Sequence, residues 1–238
     1  MLEKSLRFPV KISALIPVKG FRNAKQRLSP LLDVAQRGLL AEVMFREVLS
    51  QLLGVRGLSE TCVVTGDDRV AKIADSLGAQ VIREEVEKGE TEAVDFARLE
   101  LKKSGREAVL IVPADLPLVR GTDIETVLAQ IPDGAFSPFA LLVPSRDRMG
   151  TNALLLAPPD LIQLRFGYDS FSYHSRQVAA QGLPLRLLEN ERIALDIDEP
   201  KDLDQFLSFG LKNSGTDRLV RGILADKEAR RAGSCGGL

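Results

Sequence analysis

Tryptophan is absent from this chain, aromatic residues make up only 5% of it, and it holds one histidine and two cysteines. With so few rings, a stacking platform for single-stranded nucleic acid is not expected. A net charge of -1 likewise argues against a dedicated binder of phosphate backbones. Cys62 and Cys235 fit no metal-ligand spacing and read as free thiols of a reducing compartment. The lone His174 has no second imidazole with which to pair around a metal. No run reaches the roughly 18 apolar residues that span a bilayer. The opening MLEKSLRFPVKI lacks the continuous apolar core of a signal peptide, so a cytoplasmic location is expected. Three standard chemical signatures are also missing: the dinucleotide GxGxxG, the Walker phosphate loop and the GxSxG nucleophile elbow.

What is present is an ordinary globular composition, 238 residues with 45% hydrophobic and 27% charged, enough for one sizeable core. Short apolar runs alternate with helical patterns. Strands are expected at 12–18, 61–66, 79–84, 108–115 and 134–142, with a further one at 152–157 placed at an antiparallel edge. Leu40, Met44, Val48 and Leu52 recur four apart and mark one face of a helix. Further helices are expected at 68–77, 91–103, 122–130 and 200–209. The strands lack polar alternation, which suits a mostly parallel sheet covered on both faces, an α/β doubly wound domain. We assign residues 1–212 to this domain. Residues 213–238 form a tail with one helix over 216–231, ending in AGSCGGL without fixed structure.

In such sheets ligands gather beyond the carboxyl ends of the strands, and polar clusters fall there. PVKGFRNAKQRLSP (17–30) follows a strand and carries Lys19, Arg22, Lys25 and Arg27; it suits a polyphosphate cradle or a solvated basic loop. Asp115, between prolines in VPADLP, suits a helix cap or a ligand for a hard cation. In ALDIDEPKDL, Asp196 and Asp198 share one face of an extended segment and repel unless a cation or solvent separates them. Asp198 is also placed to cap the helix that begins near Pro200. MGTNALLL (149–156) offers Gly, Thr and Asn for a small anion, or simply a turn. RFGYDSFSYHSRQ (165–177) holds His174, which reads as a surface or packing residue before a catalytic one.

IPVKGFRNAKQRLSP, VLIVPADLPLV, MGTNALLL, FGYDSFSYH and DIDEPKDL together, over about residues 12–210, resemble the 2-phospho-L-lactate guanylyltransferase family, whose bacterial relatives use phosphoenolpyruvate. The resemblance implies a Rossmann-like nucleotidyltransferase fold of the nucleotide-diphospho-sugar transferase kind. It implies joining GMP from GTP to a three-carbon phospho-acid with release of pyrophosphate, in coenzyme F420 biosynthesis. Under it, Lys19, Lys25 and Arg27 handle the triphosphate, with Pro17, Gly20, Gly89 and Thr91 on the nucleotide. Asp115 and Asp198 hold Mg²⁺, Asp196 being the alternative, and Asp115 belongs to the catalytic set. Thr151, Asn152, Gly167 and Ser170 hold the acid. A homodimer is a family-level expectation. One departure concerns the base: many relatives carry LN-x-A where this chain has Glu90 and Thr91. A threonine hydroxyl cannot reproduce an asparagine amide on a purine edge, and Glu90 and Glu92 are alternative acceptors for guanine N–H groups. Two rival classes stand beside this reading. A transferase for a sugar phosphate or a molybdopterin would normally carry a glycine-rich LxxGxGxRM-type loop. A non-catalytic nucleotide-binding module would bind GTP without turnover.

Overall fold

A computed structural model describes residues 10–86, 88–132, 137–210 and 214–234. Seven strands form one sheet: β1 (Ile12–Pro17), β2 (Glu60–Thr65), β3 (Gln80–Arg83), β4 (Ala108–Ile111), β5 (Phe139–Pro144), β6 (Thr151–Ala157) and β7 (Arg186–Leu187), in the order β3-β2-β1-β4-β6-β5-β7. The pairs β3–β2, β2–β1, β1–β4 and β5–β7 are parallel, whereas β6 runs antiparallel to both its neighbours.

Side-chain alternation divides the sheet into two buried faces. Ile12, Ala14 and Ile16 of β1 pack with Phe45 and Val48 of α1 (Val34–Leu53), Val70 and Ile73 of α2 (Asp68–Leu77) and Ile124 of α4 (Gly121–Leu128). Leu15, Val64 and Ile111 face the other way, onto Val94 and Ala97 of α3 (Glu90–Lys103) and Val178 of α5 (Ser170–Ala180). Apolar residues on both faces of each central strand require helices on both sides, which is why these runs show no polar alternation. The four residues spaced four apart in α1 are all buried, as their period predicts. Asp67 caps α2 by accepting from Val70 N at 2.9 Å, and Gly78 closes it at φ 94°.

A third apolar cluster joins Leu40 and Met44 of α1 to Leu203 and Phe206 of α6 (Pro200–Ser208) and Val220 and Ile223 of α7 (Gly215–Ser234). Glu47 of α1 accepts from Gly215 N and Thr216 Oγ1, fixing the start of α7 on α1.

Three expectations are corrected. The strand expected at 134–142 runs instead over Phe139–Pro144; residues 133–136 lie outside the described residues. β6 is an interior strand between β4 and β5, consistent with a segment buried along its whole length, and the short β7 forms that edge. α7 continues to Ser234, three residues beyond the expected helix end, into the segment expected to lack fixed structure; residues 235–238 lie outside the described residues. α5 was not anticipated. Its buried stripe is only Ser170, His174 and Val178, too narrow to stand out in a mostly polar segment.

Candidate active site

The chain steps from β1 outward to β2 and β3, then returns to place β4 on the other side of β1. That reversal opens a crevice beyond the carboxyl ends of β1 and β4, where doubly wound sheets bind ligands. The loops leaving those two strands carry Lys19–Arg27 and Asp115.

Lys25 is the centre of the crevice. Its side chain is 9% exposed, and its ammonium donates to Asp115 Oδ2 at 2.5 Å and to Asp198 Oδ1 at 2.9 Å. Burial works against the charged form, but the two carboxylates and their hydrogen bonds outweigh it and hold the Lys25 pKa above its ordinary value. Lys25 also sits at φ 53°, left-handed backbone that costs a side-chain-bearing residue about 1–2 kcal/mol. Arg27, largely exposed, lies 3.7 Å from Asp198 and 3.9 Å from Glu199. Gly20 meets a different need. At φ 143° its missing Cβ would stand 2.9 Å from Asp67 Oδ2, so only glycine lets this loop pass the start of α2.

Neither aspartate is occupied as a helix cap. α4 begins at Gly121, well beyond Asp115. α6 is capped by Glu199, and Asp202 Oδ2 accepts from the amides of Asp198 and Glu199 at 3.0 and 2.7 Å. The Asp198 carboxylate is thereby free to face Lys25. Ile197 N donates to the Asp115 carbonyl at 3.2 Å, which clips the two aspartate-bearing segments together.

Asp196 joins the same group from behind. Burial and then the charge of Asp115 raise its pKa to about 6, against the opposing hydrogen bond from Asn152. Asn152 Nδ2 donates to Asp196 Oδ1 and to the Ile193 carbonyl, both at 3.0 Å, so its amide hydrogens hold the Asp196 segment and are not free for a small acid. Glu90, at the first turn of α3, also senses this centre. Desolvation and then Asp115 push its pKa to about 7, with Lys19 and Lys25 opposing.

The antiparallel course of β6 brings its beginning to this edge. Ile111 pairs with Leu154, and continuing that register sets Thr151 and Asn152 beside the exit that carries Asp115. Next to them, Gly167 at φ 96° and Asp169 at φ 54° form the turn into α5; the buried Ser170 opens that helix and its amide donates to the Gly167 carbonyl at 3.2 Å. Gly89 opens α3, where a Cβ would strike the Glu92 carboxylate. Thr91 Oγ1 accepts from Phe166 N at 2.9 Å, so the expected base-side threonine is turned toward the 165–167 turn. Pro17 ends β1 and Lys19 is exposed one residue beyond Val18.

The structure thus brings Lys25, Arg27, Asp115 and Asp198 into contact, with Asp196 and Lys19 bordering them. The sequence reading missed the capping role of Asp202, visible in hindsight from Pro200 at the helix start, and the bonding of His174.

This sheet order, with carboxylates and cations gathered at the switch point, defines an α/β nucleotidyltransferase fold. The crystal structure of a protein from Desulfovibrio desulfuricans G20, assigned as a nucleotide-diphospho-sugar transferase, superposes with a TM-score of 0.74 at 18% identity over 91% of this chain and 96% of that one. Residues 12–232 match the family model described as guanylyl transferase CofC like, and the chain belongs to that family. It is 36% identical over 201 residues to a phosphoenolpyruvate guanylyltransferase of Rubrobacter xylanophilus, covering 84% of this chain and 96% of the relative. It is 32% identical over 205 residues to a 2-phospho-L-lactate guanylyltransferase of Methanothermobacter thermautotrophicus, covering 84% and 86%. Among the described residues no helix is long and apolar enough to cross a membrane.

Proposed function

We propose that this chain transfers a guanylyl group from GTP to the phosphate of a three-carbon phospho-acid, phosphoenolpyruvate being the first to try and 2-phospho-L-lactate the second, in coenzyme F420 biosynthesis. The observation that carries the proposal is the convergence of Asp115 and Asp198, from loops far apart in sequence, on the buried ammonium of Lys25. An oxygen of the acceptor phosphate attacks the α-phosphorus of GTP. The bond from that phosphorus to the bridging oxygen breaks, and pyrophosphate leaves. The acceptor phosphate is already ionised near neutral pH, so the reaction needs no general base, in keeping with a site built of cations and carboxylates.

A divalent ion fits the residues present. The donors are hard carboxylate oxygens. Asp115 Oδ1 is buried without a hydrogen-bond partner among the described residues, and Asp196 is crowded by the charge of Asp115. As they stand, no three acidic, histidine or cysteine side chains among the described residues enclose an ion; the Lys25 ammonium lies against two of the three aspartates. Asp115 and Asp198, with Asp196 beside them, would hold Mg²⁺, which supplies charge neutralisation between the reacting phosphates. The protein's own cations do the rest. Lys19, Lys25 and Arg27 face the charge that builds on pyrophosphate, and positioning by these groups supplies the rate. Pro17, Gly20 and Gly89 border the nucleotide, while Thr151, Gly167 and Ser170 border the acid. Thr91 acts through its bond to the turn at Phe166, and Asn152 through Asp196.

The test is incubation of the protein with GTP, Mg²⁺ and, in turn, phosphoenolpyruvate, 2-phospho-L-lactate and 3-phosphoglycerate, with products read by mass. A guanosine diphospho-adduct and an equal amount of pyrophosphate are expected with at least one acid. Adducts with a sugar phosphate and none of the three acids would contradict the proposal, as would GTP binding without turnover.

A further inference from the structure

His174 is wholly buried, one helical turn after Ser170. Its Nε2 lies 3.1 Å from the backbone nitrogen of Arg165. A backbone amide only donates, so Nε2 accepts and bears no proton. The proton of the neutral ring is therefore on Nδ1, which lies 3.0 Å from Thr151 Oγ1. Nδ1–H donates to the hydroxyl oxygen, and the hydroxyl hydrogen cannot point back at the ring. Burial, followed by the charges of Arg165 and Arg98, lowers the imidazole pKa to about 4 and keeps the ring neutral. Phe166 and Tyr173 pack edge-on at 5.3 and 5.9 Å and fix its plane. Both nitrogens are engaged, so His174 has no lone pair to offer as a base.

We propose that His174 is a positioning residue that makes the Thr151 hydroxyl a dedicated hydrogen-bond donor to an anionic oxygen of the phospho-acid. Two bonds run in one direction, Arg165 N–H to Nε2 and Nδ1–H to Thr151 Oγ1, and they leave the Thr151 hydroxyl hydrogen for a third, to the acid. Each donor is polarised by the bond behind it. The chain begins in the same turn whose Phe166 amide reaches Thr91 of α3, so the acid side and the nucleotide side share one segment. The inference rests on the acid-holding role given to Thr151 in the preceding subsection.

His174 is the chain's only histidine, so its ¹⁵N resonances can be read without assignment in the untagged protein free of substrates. The expected spectrum is the Nδ1–H tautomer, unchanged on acidification from pH 7 to about 5, given a pKa near 4. An Nε2–H tautomer, or titration near the ordinary histidine range, would overturn the inference. Kinetics supply the second arm. His174→Phe keeps an aromatic ring and removes the donor, while His174→Asn returns a donor near the Nδ1 position. The Phe variant should raise KM for the acid about tenfold, the scale of one hydrogen bond to a charged group. KM for GTP should stay within about twofold, because the chain of bonds ends on the acid side. His174→Asn should recover most of the loss. Thr151→Val should match His174→Phe, with no further loss in the double variant. Parallel rises in both KM values, or losses that multiply in the double variant, would mark His174 as structural only and overturn the proposal. If the wild-type protein transfers guanylyl to none of the acids, the functional reading fails and takes this role with it, while the tautomer still reports the direction of the bonds.

Discussion

The two sides of the crevice are built from opposite materials. On the Lys25 side, formal charges meet: an ammonium, two carboxylates in contact with it, and Arg27 largely exposed at the rim. On the His174 side, the polar groups are neutral and buried: an imidazole, the hydroxyls of Thr151 and Ser170, and the amide of Asn152. The first arrangement suits ligands that arrive with several charges and counterions, since its members can exchange one ionic partner for another. The second has no spare partner to exchange and suits orientation of a small ligand. Burial of a neutral bonded group costs little, whereas burial of an unpaired charge costs several kcal/mol, of order 3–5 when one partner of a pair is removed. The contrast therefore predicts that changes on the charged side act on turnover and metal binding, and changes on the neutral side act on the affinity and orientation of one substrate.

The largest effect should come from Asp115→Ala, which we expect to lower turnover by at least about two orders of magnitude with the fold intact by circular dichroism. A near-normal rate would remove Asp115 from contact with the reacting groups. Next, Lys25→Met should reduce turnover by about tenfold or more and weaken GTP binding measured by calorimetry. If neither quantity moves, the ammonium serves only to neutralise Asp115 and Asp198. Thr151→Val should come third, an effect of about tenfold confined to KM for the acid. A matching loss in GTP affinity would erase the distinction between the two sides.

The smallest effects concern stability against pH, and they run in opposite directions. Glu90 titrates at about 7 in the folded chain, above its ordinary 4.5. The folded state thus holds its proton more tightly than the unfolded state, and stability is lost as pH rises between those values. Glu90→Gln should melt a few degrees higher than wild type at pH 8 and no differently below pH 4.5. His174 is the reverse case, lowered from 6.5 to about 4. Its contribution is complete above 6.5 and is lost as pH falls toward 4, so His174→Phe should flatten the acid limb of the stability profile over that window. Thermal melts across pH check both.

The charged side was legible in the sequence because its residues lie just past apolar runs, and a doubly wound sheet gathers such loops at one edge. Lys25, Arg27 and Asp115 follow that logic; Asp198 does not, because no strand leads directly into it among the described residues, and its segment is tied to the site by the bond from Ile197 N to the Asp115 carbonyl. The neutral side was less legible for physical reasons. The antiparallel direction of NALLLA is as expected, but its place inside the sheet, between β4 and β5, leaves no mark on an apolar run, and that place beside β4 brings Thr151 and Asn152 to the crevice. Asn152 looked like a grip for a small anion because an amide suits one; only the fold shows its hydrogens committed to Asp196 and Ile193. Asp198 was ambiguous between cap and ligand until Asp202 took the capping bonds. The role of His174 depends on the tautomer, which a sequence does not carry, and on the i, i+4 spacing from Ser170 in a helix that the polar segment concealed.

On the proposed function, Asp115 and Asp198 hold a divalent ion where the Lys25 ammonium lies against them. Titration of Mn²⁺ followed by electron paramagnetic resonance, in the presence of GTP and compared between wild type and the Asp115→Asn and Asp198→Asn variants, tests it most directly. Protein-dependent Mn²⁺ binding is expected in the wild type, with its loss or marked weakening in both variants. Equal binding by all three proteins would contradict it.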